Sequence, residues 1–186
     1  MIFESYPWRL QLLDIKEEMQ NINTKENIES NYEYTGFILE KDIFLSAFII
    51  RKLIDCKSKV IDKLRDYTFK VKTYKPIKKV DFFHRWPGDG CFDLEKSEEI
   101  HVNEKLICNS LIHSYVFWTE LKEENGPVQV FYVASDKDRN KILYCVNLKD
   151  YIKFLNLAVN SEVFDQKIKF DEKKQDYVFK NSGLKM

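Results

Sequence analysis

Apolar residues recur at helical spacing near the start of the chain. Trp8, Leu12, Ile15 and Met19 fall on one face and predict an amphipathic helix over residues 6–21. Ser5 and Pro7 supply its start, a hydroxyl at the N-cap and a proline in the first turn, where its missing N–H costs nothing. The polar, Asn-rich stretch 21–30 reads as a loop, and Gly36 marks an irregular joint within 32–39. The segment 42–56 is apolar nearly all round until Arg51, the pattern of a helix buried in a bundle. Ser58 can cap a shorter helix over 59–66, whose Val60, Ile61 and Leu64 continue the buried stripe.

At residue 67 the period drops to two. Tyr67, Phe69 and Val71 alternate with Thr68, Lys70 and Lys72, as in a half-buried strand. Residues 80–83 predict a second strand that turns Phe82 and Phe83 into the core, closed by the turn Trp86-Pro87-Gly88-Asp89-Gly90. After an acidic connector, Asn103 caps a helix predicted over 104–118. Strands at 128–134 and 141–146 form a hairpin around the polar run from Ser135 to Asn140. A helix over 149–160 turns Tyr151, Phe154, Leu155 and Ala158 inward, and 163–170 with 176–180 forms a more polar hairpin at a sheet edge. The expectation is a single α+β domain over residues 1–186. Helices 6–21, 42–56, 104–118 and 149–160 make a bundle, with a small antiparallel sheet of hairpins appended.

Composition narrows the function classes. Thirty basic and thirty acidic side chains cancel, so no global field draws the molecule to nucleic acid or membrane, and only local patches can do so. Five Gly and four Pro leave little flexible linker. Cys56, Cys91, Cys108 and Cys145 form no C-x-x-C pair and read as reduced thiols. The most apolar run, 43–50, is far short of the roughly 20 residues a bilayer span needs. The first residues lack a basic region followed by an apolar run and a cleavage site. The chain therefore reads as soluble and cytoplasmic, without a membrane partner.

Chemistry concentrates in 104–118. On a helical wheel, Ile107, Cys108, Leu111, Ile112, Tyr115, Val116 and Trp118 cover one sector. Asn109, Ser110, His113 and Ser114 share the other with Leu106 and Phe117. A histidine four residues after an asparagine can move protons beside a polar partner. The bland alternative is an imidazole filling a polar niche between helices.

The run C-N-S-L-I-H at 108–113 resembles the R-N-x-x-x-H signature of the HEPN superfamily, helical-bundle proteins of prokaryotic toxin–antitoxin and defence systems. The longer run through Phe117 is also similar to that of a bacterial family with no assigned activity. The HEPN resemblance implies a dimer that cuts RNA without metal. His113 would transfer the proton, Asn109 would position it, and an arginine would stabilise the phosphorane. Cys108 stands where that arginine belongs, and a thiol cannot hold phosphate as a guanidinium does. The resemblance therefore implies first a non-catalytic interaction or regulatory protein, paired with itself or another protein and in contact with RNA. Second comes a metal-independent ribonuclease in which Arg51, from the neighbouring helix, replaces the missing arginine. A structural subunit of a larger complex is the third reading, and it predicts a large exposed apolar patch.

Lys70, Lys72, Lys75, Lys78 and Lys79 precede Phe82, Phe83, His84, Arg85 and Trp86. Cations beside aromatics suit a single-stranded nucleic acid, by neutralising phosphate and stacking on bases. Against this, edge strands carry lysine to block aggregation, and the connector's Glu98 and Glu99 can pair with these lysines. His84, Cys91, His101 and Cys108 are metal-ligand types, but spacings of seven, ten and seven match no zinc motif. No Gly-rich phosphate loop, nucleotide fingerprint, G-x-S-x-G or H-E-x-x-H occurs. Neither a metal nor a nucleotide cofactor is expected.

Overall fold

The computed structural model describes residues 2–183. It is a mixed α and β fold in which a five-stranded antiparallel sheet carries helices on one face and a long loop on the other. The helices are α1 (Tyr6–Ile22), α2 (Lys25–Ser30), α3 (Tyr32–Asp55), α4 (Asp62–Arg65), α5 (Glu104–Ile112) and α6 (Leu148–Val159). The sheet is built from β1 (Thr68–Tyr74), β2 (Glu98–Asn103), β3 (Ser114–Leu121), β4 (Val128–Ser135) and β5 (Leu143–Asn147), in the order β2-β1-β5-β4-β3. A separate hairpin joins β6 (Asp165–Asp171) to β7 (Asp176–Ser182). Asn181 ties it to the body, its side-chain amide donating to the carbonyls of Lys57 at 2.7 Å and Val60 at 2.8 Å. The sheet is thus larger than the appended hairpins the pattern predicts, and the helices pack as a layer on it.

Several local readings change, each for a physical reason. On α1 the buried face is Arg9, Leu12, Ile15 and Met19, while Trp8 is turned out. The predicted loop 21–30 contains α2, because the Thr24 hydroxyl accepts from the Asn27 N–H and Ile28 is buried. Gly36 does not break the chain, and α3 runs 24 residues through it. The buried positions of α3 recur from Thr35 to Ile54, so packing on both flanks outweighs one poor helix former. The helix predicted over 59–66 shrinks to the single turn of α4.

The largest change lies in the segment predicted as one helix, 104–118. Asn103 caps α5 as expected, its side chain accepting from the Leu106 N–H at 2.8 Å. The helix then stops at Ile112 with His113 as its C-cap, and the next residues are β3. Short apolar runs fit either period, and here the alternation of aromatic and β-branched residues wins through pairing with β4. Val116 and Trp118 join the core under the loop, and Phe117 faces the helices. Topology favours the break as well. β2 and β3 are opposite edges of the sheet, about 19 Å apart for four strand spacings. The nine residues of α5 reach about 13 Å, so with its flanking turns it delivers the chain to the far edge where β3 must begin.

The helix-side core packs Phe69, Phe131, Tyr151 and Phe154 together, with the Tyr151 hydroxyl bonded to the Ile43 carbonyl at 3.1 Å and to Ser46 Oγ at 3.0 Å. The opposite face of the sheet presents Tyr74, Trp118, Tyr132, Leu143 and Cys145, covered by Val80, Cys91 and Phe92 from the connection between β1 and β2. No strand forms at 80–83. Among the described residues, no helix is long and apolar enough to cross a membrane.

Candidate functional site: an aromatic and basic loop over the sheet

Two places on the molecule gather the residues singled out by sequence, and they differ in chemistry. The first is the loop between β1 and β2. Its ends are closed by a bridge between Pro76 and Phe92 and by the Ile77 N–H donating to the Cys91 carbonyl at 2.8 Å. The Val80 N–H donates to Asn140 Oδ1 at 2.8 Å, which pins the loop to the β4–β5 connection. Between these anchors, Asp81 Oδ1 accepts from the N–H groups of Phe83 and His84, both at 3.1 Å, and lies 2.9 Å from His84 Nδ1. The His84 contact first, and these amides with it, hold the Asp81 carboxyl below its ordinary range. A 3-10 turn, Pro87–Asp89, follows, with the Trp86 N–H donating to Asp89 Oδ2 at 2.8 Å. Gly90 closes it at φ +61°, a left-handed conformation that costs glycine nothing.

These turns push aromatic rings outward. Phe82 is 64% exposed, Phe83 80% and Trp86 55%, so neither phenylalanine enters the core as expected from sequence. The reason is space: Val80, Cys91 and Phe92 already fill the sheet face, and the turn at Asp81 points the next residues away. The Arg85 guanidinium lies 5.0 Å from the Phe82 ring centre and 5.8 Å from that of Trp86. Both distances suit cation–π contact and hold the rings beside one another.

The five lysines divide. Lys70 pairs with Glu99 at 2.7 Å and Lys75 with Glu98 at 2.9 Å, because the connector's last residues form β2 beside β1. The Lys70 ammonium draws the Glu99 carboxyl below its ordinary range. Lys72, Lys78 and Lys79 are exposed and make no ion pair among the described residues. Lys72 stands opposite Cys145, whose side chain belongs to the loop-covered core, so it faces the same side as the aromatic loop.

The second place is the groove beside His113, about 510 Å³, lined by Leu106, Asn109, Ser110, His113, Ser135, Asp136, Lys137 and Asp138. Arg51, singled out from sequence as the neighbouring cation, donates from Nε to Asn109 Oδ1 at 2.9 Å. Its Nη1 is taken by Asp55. His113 is exposed at the helix end, its backbone N–H bonded to the Asn109 carbonyl at 3.0 Å. Cys108, in the arginine position of the resemblance, is fully buried, and burial pushes its thiol up to about 12. The fold thus brings Arg51, Asn109 and His113 to one region, with Asp55, Asp136, Lys137 and Asp138 around them.

Among the described residues, no three His, Cys, Asp or Glu side chains gather where they could hold a metal ion. Comparison of the chain with protein-family models, curated proteins and solved structures finds no match in any of the three.

Proposed function

We propose that the protein is a non-catalytic interaction protein that holds single-stranded nucleic acid on its loop-covered face. The observation that carries this reading is the exposure of Phe82, Phe83 and Trp86 on one anchored loop, beside unpaired Lys72, Lys78 and Lys79. Exposed aromatic rings cost solubility and are rarely tolerated in a cluster without a use. Bases stack on such rings for about 1–3 kcal/mol each, and lysines track the phosphates. Lys70 and Lys75 are held by Glu99 and Glu98 and leave the phosphates to the other three lysines.

The test is binding of labelled single-stranded oligonucleotides by fluorescence anisotropy, with Phe82→Ala, Phe83→Ala and Trp86→Ala alongside. Each is expected to weaken binding roughly 5- to 100-fold. Thermal stability should hold, since these rings lie outside both cores. Wild-type protein that binds no oligonucleotide at low salt would refute the reading.

The ribonuclease reading keeps one observation, the contact between Arg51 and Asn109 beside His113. Lys137 lines that groove with Asp136 and Asp138, and Asp136 already pairs with Arg139 at 3.1 Å. A phosphate there would have to compete with Asn109 and Asp55 for a guanidinium engaged on two of its nitrogens, which is why binding ranks above cleavage. Loss of metal-independent RNA cleavage in His113→Ala, measured in EDTA, would reverse that order.

A further inference from the structure

The two edges of the sheet are built differently. β2, with Glu98, Glu99 and His101 along it, is a charged edge of the sort that resists pairing with other chains. β3, Ser-Tyr-Val-Phe-Trp-Thr-Glu-Leu, carries neither lysine nor proline; its ladder to β4 shifts register between Ser114 and Val116 and between Glu120 and Leu121, which leaves 116–120 as its regular stretch. Its outer backbone groups receive no hydrogen bond from another backbone segment among the described residues. Such an edge is a template for a further strand.

Beside it lies a groove of about 250 Å³ lined by Glu40, Phe44, Arg85, Trp86 and residues 114–117. Phe44 of α3 packs on Phe117 at 4.7 Å between ring centres. The neighbouring Leu45, and Phe48 one turn along, extend an exposed apolar stripe on α3, and Phe37 lies two turns before Phe44 beyond Glu40 and Lys41. Edge and stripe therefore adjoin, on the sheet and helix layers respectively.

Charge selects what covers them. Arg85 flanks the N-terminal end of β3, 5.8 Å from the Tyr115 ring centre, with its Nε buried and without a hydrogen-bond partner. Glu120 stands exposed at the other end, touched by the Tyr132 hydroxyl at 2.6 Å. Neither Arg85 nor Glu120 makes an ion pair among the described residues. Both belong to the loop side, since Val116, Trp118 and Tyr132 lie in the core there.

We propose that β3 pairs antiparallel with β3 of a second copy of this chain. Side chains opposite one another in a sheet share a face, so even-numbered residues of β3 must meet even-numbered ones. Centred on Trp118, this pairing sets Val116, next to Arg85, opposite the partner's Glu120, and does so twice by symmetry. The two-fold axis runs perpendicular to the sheet, so the two α3 stripes approach each other on the helix side. The result is a continuous ten-stranded sheet whose interface is apolar on one layer and charge-matched on the other. The inference shares Arg85 and Trp86 with the nucleic-acid loop but concerns a different edge and a different occupant, and its test, the mass of the protein alone, involves no nucleic acid.

Sedimentation equilibrium of the full chain tests it. Wild type is expected at about twice the 22.3 kDa chain mass. Glu120→Lys and Arg85→Glu should each raise the dimer dissociation constant about tenfold or more by setting like charges together. The double variant, which restores opposite charges, should recover the dimer. Far-UV circular dichroism and melting of each variant guard against misfolding. A monomeric wild type, a dimer indifferent to both single reversals, or a double variant that fails to recover overturns the proposal.

Discussion

Asp42 is fully buried on α3, and neither carboxylate oxygen has a hydrogen-bond donor. Lys41 Nζ lies 3.3 Å from Oδ1, but too poorly directed to serve as one, and it also bonds Glu18 at 2.9 Å. Burial, only partly offset by Lys41, raises the Asp42 carboxyl from 3.8 to about 6. The folded state therefore binds this proton more tightly than the unfolded chain does. Its contribution to stability is fully present below pH 3.8 and is lost as pH climbs through about 6. Asp42→Asn removes the buried charge while Lys41 keeps Glu18. The variant is expected to match wild type near pH 4 and to exceed it by roughly 2–3 kcal/mol at pH 8. Urea denaturation at both pH values measures this, and an equal gap at the two would remove the charge explanation.

At the scale of elements, Gly36 separates what patterning reveals from what it hides. A glycine between Thr35 and Phe37 suggests a joint, yet α3 continues through it, and a Cβ built there meets nothing within 4 Å. Gly36→Ala should therefore stabilise by up to about 1 kcal/mol, since helix entropy improves without a clash. For a chain of this size that is roughly 2–4 °C in melting temperature. Elsewhere the period sufficed. α1, α6 and β1 follow from apolar spacing, because each has one buried face and keeps its rhythm over several turns or pleats, and the β4–β5 hairpin, buried on both faces, follows from two apolar runs around a polar turn. The 104–118 segment did not yield to it. Leu111, Ile112, Tyr115, Val116 and Trp118 satisfy a helical wheel, and only the partner strand β4 decides that the second half extends. Arg51 could be named from sequence because it is the first charge to interrupt an apolar helix. Its contact with Asn109 needed α3 and α5 to pack side by side.

For the whole molecule, net charge is zero, so affinity for a polyanion has to come from how charges are distributed across the faces. The Lys-rich segment was visible in sequence, but its division was not. That Glu98 and Glu99 can pair with these lysines is legible in sequence, but which two they take is set by the register in which β2 returns beside β1. The outward turn of Phe82 and Phe83 was hidden for a related reason, because Val80, Cys91 and Phe92 reach the sheet first. If Arg85 is engaged at β3, three cations remain for phosphate: Lys72, Lys78 and Lys79. Each neutralised phosphate of a single strand contributes about −0.7 to the slope of log affinity against log salt, so the slope should be near −2. Titrations at several potassium chloride concentrations give that slope directly. Lys78→Ala with Lys79→Ala should flatten it to about −0.7, with Lys72 left alone. Glu98→Gln with Glu99→Gln should steepen it by freeing Lys70 and Lys75. A slope unmoved by either pair would place the phosphates elsewhere and detach the aromatic loop from nucleic acid.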